Sequence, residues 1–396
     1  MPFLTALLWI IESALAVLVG YLLLLTLLSL FAPRRTPLPD RPRTRFAILV
    51  PAHNEELLLP GLLRSLADLD YPAALYTVHV VADNCTDSTA GIARQAGVHV
   101  YERFNTERVG KGYALNWLLE QITGATPNTP YDAFIIFDAD TLVSANFLRV
   151  TDARLQQGAD AVQGYYAVRD PAASWGAAVR YAALAVLHYL RPLGRGLLGG
   201  SPGLKGNGMA FTAAVLEQFP WSASLTEDIE YHMALILAGR RVVFAPDAVV
   251  WAEMPGTLRG SQTQNVRWER GRVQMVRQYT PRLLSEGLRR RSFALIDAAL
   301  EQVIPPFAVL VGATVLPLLA ALALGVWPVF WLGLVLLAAQ AVYTLTGLLL
   351  VRAPFQVYLA LLGAPFYVLW KLWLYARVLL GLDRQGWVRT AREGGS

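Results

Sequence analysis

Ala133-Phe-Ile-Ile-Phe-Asp-Ala-Asp140 is the stretch that decides the fold. Its first five residues are apolar and read as a short buried strand, which ends where Asp138 opens a polar turn. Three similar runs precede it. Phe46-Ala-Ile-Leu-Val-Pro51 is followed by a helix bearing Leu57, Leu58, Leu62, Leu63 and Leu66. Tyr76-Thr-Val-His-Val-Val-Ala82 ends at Asp83 and leads to a helix reaching Gln95, with Asp87 as its expected N-cap. Val98-His-Val-Tyr101 leads to a helix over 111–122. Strands and helices alternating with short connections predict a parallel sheet in an α/β domain, placed here at residues 45–290. Ligands of such sheets bind beyond the carboxyl ends of the strands. Those ends carry His53-Asn54-Glu55, Asp83-Asn84 and Asp138-Ala139-Asp140, so the pattern predicts a cleft lined by carboxylates.

Asp138 and Asp140, one residue apart in a strand-end loop, can serve one hard cation from adjacent positions. Mg2+ and Mn2+ take oxygen ligands, and Mg2+ keeps waters and a substrate phosphate in its shell. The plain alternative is a solvated turn in which Asp140 caps the next segment. Thr226-Glu227-Asp228 stands before the apolar stretch 229–237. It suits a helix N-terminus, with Thr as cap and the acids complementing the dipole. A base role for such a carboxylate needs burial to lift its pKa. Gln264, Arg267 and Trp268 share one face at helical spacing. Arg forks onto a diphosphate and Trp offers a flat wall suited to a sugar ring. An interfacial helix with Trp and Arg at headgroup level is the competing explanation. The glycines of Gly206-Asn-Gly-Met-Ala-Phe211 allow close backbone approach to a phosphate or acceptor, or form an ordinary turn. The five histidines show no metal-ligand spacing; His232 reads as packing, and Cys85 as a small buried residue.

Outside this middle region the chain turns apolar. Charged residues make up 16% and hydrophobic residues 55% of its 396 residues, against about 25% charged in a soluble domain. Residues 3–31 carry one charge, Glu12, and exceed the roughly 20 residues of a spanning helix. With no positive residue before it, this run reads as a retained anchor over 1–32 rather than a cleaved signal. The uncharged run 302–351 accommodates two spans, with a break near Gly325-Val326-Trp327-Pro328. The stretch 354–382 holds Pro365, Lys371 and Arg377. It is expected to be re-entrant or interfacial, closing a C-terminal membrane region over 293–382. Arg34, Arg35, Arg41, Arg43 and Arg45 follow the first helix and Arg289, Arg290 and Arg291 precede the later ones, which places the middle in the cytoplasm. If 354–382 does not cross, Arg384, Arg389 and Arg392 of the basic tail 383–396 are expected on that same side. These flanks supply much of the net charge of +5 beside anionic lipid, without any nucleic-acid partner. The single cysteine excludes an internal disulfide and fits a reducing compartment.

Taken in order, Asp83, Asp138/Asp140, Asp228 and Gln264/Arg267/Trp268 resemble the motifs of the membrane-bound family 2 glycosyltransferases, the branch of hyaluronan, chitin and cellulose synthases and ceramide glucosyltransferases. The resemblance runs from Ala47 to Arg272 and extends to the membrane flanks. It implies a GT-A, Rossmann-like cytoplasmic domain inserted between transmembrane helices of a bacterial plasma-membrane protein. It also implies site roles. Pro51, Ala52, Asn54 and Glu55 would hold the nucleotide, Asp83 the uridine, and Lys111 would lie near the donor. Asp138 and Asp140 would hold the diphosphate through Mg or Mn, and Asp228 would be the general base. Gln264 and Arg267 would border the leaving diphosphate, and Trp268, Glu227 and Gly206 the acceptor. Trp387, Thr390 and Arg392 are similar to a C-terminal gating segment that closes over the donor. The implied partners are a UDP-sugar donor, a glycolipid or polysaccharide acceptor, and membrane lipids.

Three activities compete. The first is inverting sugar transfer to a lipid or short acceptor. The second is processive synthesis with export of the polymer, for which three or four membrane segments are few. The third is a nucleotide-binding scaffold or transporter without catalysis. A transporter often shows repeated membrane halves, none of which is visible, and an inactive domain is expected to lack the base or the metal pair.

Overall fold

The computed structural model describes residues 2–124, 131–221, 227–253 and 262–380. The chain divides into two compact units. One comprises Met1–Ala32, Asp170–Gly199 and Met254–Ser396, the other Pro33–Arg169 and Gly200–Glu253. The compact α/β unit is therefore smaller than the 45–290 range, because residues 170–199 and the chain from 254 onward group with the terminal helices.

The chain starts with helix α1 (Pro2–Phe31). The α/β unit then opens with β1 (Phe46–Ala52), α2 (Leu59–Ala67), β2 (Tyr76–Asp83), α3 (Thr89–Gln95), β3 (His99–Arg103), α4 (Lys111–Gly124) and β4 (Ala133–Ile136). It continues through β5 (Thr141–Val143), α5 (Phe147–Gln156) and β6 (Ala161–Val168). After an excursion through α6 (Trp175–Ala185) and α7 (Arg191–Leu198), it returns with β7 (Met209–Thr212), α8 (Ala213–Gln218), α9 (Glu227–Leu237) and β8 (Val242–Ala252).

Successive side chains of a strand face opposite ways, and β1 shows what that does. Phe46, Ile48 and Val50 join one apolar layer with α2 and α5, while Ala47 and Leu49 join the other with α4 and α9. Both faces are covered, which is why the strand carries no polar residue. The strand order is β3-β2-β1-β4-β7-β6-β8-β5. Through β4 the pairs are parallel, as expected. Beyond it the sheet is mixed: β7 runs antiparallel to β4 and β6, and β5 antiparallel to β8. A parallel neighbour needs a crossover of about a dozen residues. The link from β4 to β5 is far shorter, and β5 lies at the far edge. Two boundaries also move. Helix α2 begins at Leu59 with Pro60 in its first turn, leaving Leu57 exposed. Helix α3 begins at Thr89, although the Asp87 carboxylate still accepts from the Thr89 amide at 3.0 Å.

The helical unit, which also holds α1, α6 and α7, adds α10 (Gln262–Arg290), α11 (Phe293–Val303), α12 (Phe307–Ala323), α13 (Trp327–Leu350), α14 (Phe355–Ala360) and α15 (Ala364–Leu379). The break expected near 325–328 separates α12 from α13. Among the described residues, three helical runs are long and apolar enough to cross a membrane: Pro2–Phe31, Trp327–Leu350 and Phe355–Leu379. A fourth span would join α11 and α12, which meet at a 68° bend. The bend thus falls at Pro305-Pro306. Pro365 lies in the first turn of α15, where its missing N–H breaks no helical bond.

Buried polar groups tie these helices together. Arg195 of α7 donates two bonds to Asp297 of α11, at 2.9 and 2.7 Å, and Tyr21 of α1 donates to the other Asp297 oxygen. Arg191 donates to Tyr343 of α13 at 2.6 Å and pairs with Glu301. Close backbone approach is needed as well. A Cβ at Gly194 would stand 2.5 Å from the Leu25 carbonyl oxygen. Gly194→Ala should therefore cost about 1–3 kcal/mol, the range for overpacking, seen as a lower unfolding temperature in detergent. An unchanged transition would mean that α1 and α7 are not in backbone contact.

Candidate active site

The site is built on the loops that leave β4 and enter β7. Asp138 follows Phe137, the buried residue just past the end of β4, and its backbone N–H donates to Asn207 Oδ1 at 3.1 Å. Asn207 is fully buried. Its carbonyl accepts from Gln163 Nε2 at 2.8 Å, while Gln163 Oε1 accepts from the Lys205 amide at 2.8 Å. One buried amide side chain on β6 thus fixes both ends of the 205–207 loop. The tightness of that loop explains its glycines. Gly206 has φ of +79°, and Gly208 has φ of +62° with no room for a Cβ, which would meet Val250 at 2.8 Å.

Lys111, at the start of α4, reaches across to this loop. Its ammonium donates to Asp138 Oδ1 and to the Gly206 carbonyl, each at 2.5 Å. Burial works against the charge, but Asp138, with help from Glu227, outweighs it and holds the lysine above its usual pKa. Lys111 is thus held by Asp138 and Gly206 rather than extended into solvent. Asp228, in the first turn of α9, comes in from the other side. Its Oδ2 would lie 3.4 Å from a Cβ at Gly206. Burial, then the neighbouring Glu227, pushes Asp228 up to about 6; the Ile229 amide, Lys111 and Lys205 pull the other way. Thr226, the expected cap of this helix, lies outside the described residues. Asp138, Lys111, Gly206 and Asp228 converge although they come from four separate stretches of the sequence.

The nucleotide-side candidates form a second cluster at the ends of β1 and β2. Pro51 and Ala52 end β1 in register with Val81 and Ala82. Asn54 adopts a left-handed conformation, φ 55°, and its side chain accepts from the Thr86 amide at 2.7 Å. The Glu55 amide donates to Thr89 Oγ1 at 2.8 Å. Asp83 forms a buried 2.5 Å ion pair with Arg103, the residue beside it on β3. Burial raises the Asp83 pKa, and Arg103 offsets part of that rise. Sequence reasoning does not reach Arg103, because the signal is a register between two strands, not a motif. Cys85 is only half buried; its Sγ accepts from the Asn54 amide at 3.3 Å. His232 is buried and shares a 2.8 Å hydrogen bond with Ser201.

Asp140 lies in the turn after Asp138 and is partly exposed, as is Asp138. Among the described residues there is no group of three or more His, Cys, Asp or Glu arranged to hold a metal. Two oxygen donors remain, which suits a hard cation that takes the rest of its shell from water and phosphate. Gln264 and Arg267 are placed by backbone alone, on α10. Trp268 lies on the same helix and is 37% exposed. Trp387, Thr390 and Arg392 lie outside the described residues.

The model of the family described as Glycosyltransferase like family 2 matches residues 42–271, and the chain belongs to that family. Its α/β unit is accordingly a GT-A-like, Rossmann-type glycosyltransferase domain. Over 246 residues the chain is 28% identical to beta-monoglucosyldiacylglycerol synthase of Synechocystis sp., covering 60% of this chain and 50% of that protein. Over 234 residues it is 26% identical to poly-beta-1,6-N-acetyl-D-glucosamine synthase of Staphylococcus epidermidis, covering 57% and 54%. The chain thus spans about half the length of these curated relatives. In fold it resembles the mannosyltransferase PcManGT from Pyrobaculum calidifontis, solved in complex with GDP-Man and Mn2+. The TM-score is 0.57 and the identity 21%, over 93% of this chain and 99% of that one.

Proposed function

We propose that the chain transfers a sugar from a UDP-sugar to a membrane-associated acceptor, with inversion at the anomeric carbon and Asp228 as the general base. One observation carries this reading: Asp228 has its pKa lifted to about 6 and lies beside the Gly206 loop that Lys111 joins to Asp138. A base with a pKa near the working pH is both ionised and basic enough to accept a proton. Asp228 takes the proton of the acceptor hydroxyl as that oxygen forms its bond to the anomeric carbon. The bond to the diphosphate breaks with its electron pair on the diphosphate, and the configuration inverts. Lys111 brings positive charge to the side where the diphosphate leaves. Asp138 and Asp140 hold Mg2+ or Mn2+, which when bound supplies charge stabilisation on the diphosphate. Pro51, Ala52, Asn54, Glu55 and Asp83 serve the nucleotide. Gln264 and Arg267 serve the diphosphate, and Trp268, Glu227 and Gly206 the acceptor. The acceptor favoured is a lipid of the glycerolipid kind, in keeping with the apolar helical runs and with the similarity to a glucosyldiacylglycerol synthase. The reaction takes place at the cytoplasmic face of a bacterial plasma membrane.

The test is nucleotide release from UDP-glucose, UDP-N-acetylglucosamine and GDP-mannose by the purified chain with Mn2+, with and without diacylglycerol. Acceptor-stimulated release of UDP and a β-linked product are expected. Release from GDP-mannose alone would move the donor to another nucleotide, and no release from any donor would overturn the reading. A ladder of products on a gel would indicate a processive synthase. Within the same assay, Trp268→Ala should impair transfer to acceptor more than donor binding. Equal loss of both would make Trp268 an interfacial anchor that holds the fold.

A further inference from the structure

Lys371 is a charge in the middle of an apolar helical run, and the structure gives it partners far away in sequence. Its ammonium donates to Asn265 Oδ1 at 2.7 Å and pairs with Glu269 Oε1 at 2.9 Å. All three residues are buried. The other oxygen of Glu269 is buried without a hydrogen bond among the described residues. Asn265 and Glu269 are four residues apart and therefore lie one above the other on α10. They interleave with the Gln264, Arg267 and Trp268 positions: Asn265 is next after Gln264, and Glu269 next after Trp268.

A buried ion pair is a poor source of stability. Apolar residues of the same volume often do as well or better, and what the pair adds is directional. One ammonium on α15 bonded to two acceptors one turn apart on α10 fixes both the rotation of α10 and its position along its axis. An apolar contact would tolerate sliding that these two bonds do not. We propose that Lys371 is a positioning residue, setting the orientation of the 264–268 turn, and so of Trp268, for sugar transfer. This rests on the reading of that turn given under Proposed function.

The test uses the full chain in detergent. Lys371→Met removes the ammonium and keeps the stem, and Lys371→Arg keeps a cation. Lys371→Glu combined with Glu269→Lys exchanges the charges, and the Asn265 amide can serve either sign. In Lys371→Met, amide hydrogen exchange over 262–272 should speed up by about tenfold or more, a local opening. Transfer should fall by about tenfold or more with donor KM nearly unchanged. Lys371→Arg and the exchanged pair should recover most of both. In a Trp268→Ala background, Lys371→Met should cost little more, because coupled residues are not additive. Unchanged exchange over 262–272 overturns the proposal. So does a loss of transfer that adds fully to that of Trp268→Ala and merely tracks a fall in unfolding temperature. If the unaltered chain transfers no sugar from any donor, the functional reading fails, and the exchange measurements still decide whether Lys371 holds this turn.

Discussion

Asp228→Asn should lower sugar transfer at saturating donor by about 10²-fold or more, the usual scale of a general base, with donor affinity little changed. The wild-type pH profile should show the same group. A base works ionised, so kcat/KM should rise with pH through a midpoint near 6, where burial and Glu227 place Asp228. The Asn variant should lose that limb. Stability should move the other way. A carboxyl whose folded pKa lies above its unfolded value binds more protons when folded, so folding weakens as pH rises from about 4 to about 6. Asn cannot ionise, so the variant should unfold at pH 7 no lower in temperature than the wild type. Donor affinity that collapses while turnover at saturation survives would make Asp228 a binding residue instead.

Asp140→Asn should remove Mn2+-dependent transfer by about 10²–10³-fold, the scale of losing one electrostatic contact to a developing charge. The fold should survive, since Asp140 sits in a partly exposed turn outside the two apolar layers. It is a cleaner probe than Asp138. Removing the Asp138 carboxylate would also strip the Lys111 ammonium of its ion pair, and a half-buried cation left unpaired costs stability of its own. EDTA should abolish turnover of the unaltered chain, and Mn2+ should restore it. Full turnover in EDTA would exclude a metal role for this pair.

Much of the protein is legible in order along the chain. Local hydrophobic patterns locate β1, β2 and β4 within a residue or two, because burial on both faces requires an unbroken apolar run. They also locate the break between α12 and α13, where the pattern meets Gly325 and Pro328. The carboxylates of interest are legible as well, since each stands where an apolar strand or helix begins or ends. The antiparallel half of the sheet is not legible. Strands such as β5 and β7 are short, and their direction is set by where the chain can return rather than by their residues.

By itself, then, the sequence determined the first four strands and the apolar helical runs at the two ends of the chain, and which carboxylates stand where apolar segments begin or end. Local pattern encodes local burial, and a motif is a local pattern. Only the tertiary structure decided which polar groups meet. Lys111 reaches Asp138 and Gly206 because α4 and the β7 loop converge on the end of β4. Asp83 meets Arg103 because β2 and β3 pair in that register. Lys371 meets Glu269 across about a hundred residues of chain. A charged side chain states in sequence only that it needs a partner or water, and the partner is chosen by the packing of elements distant along the chain.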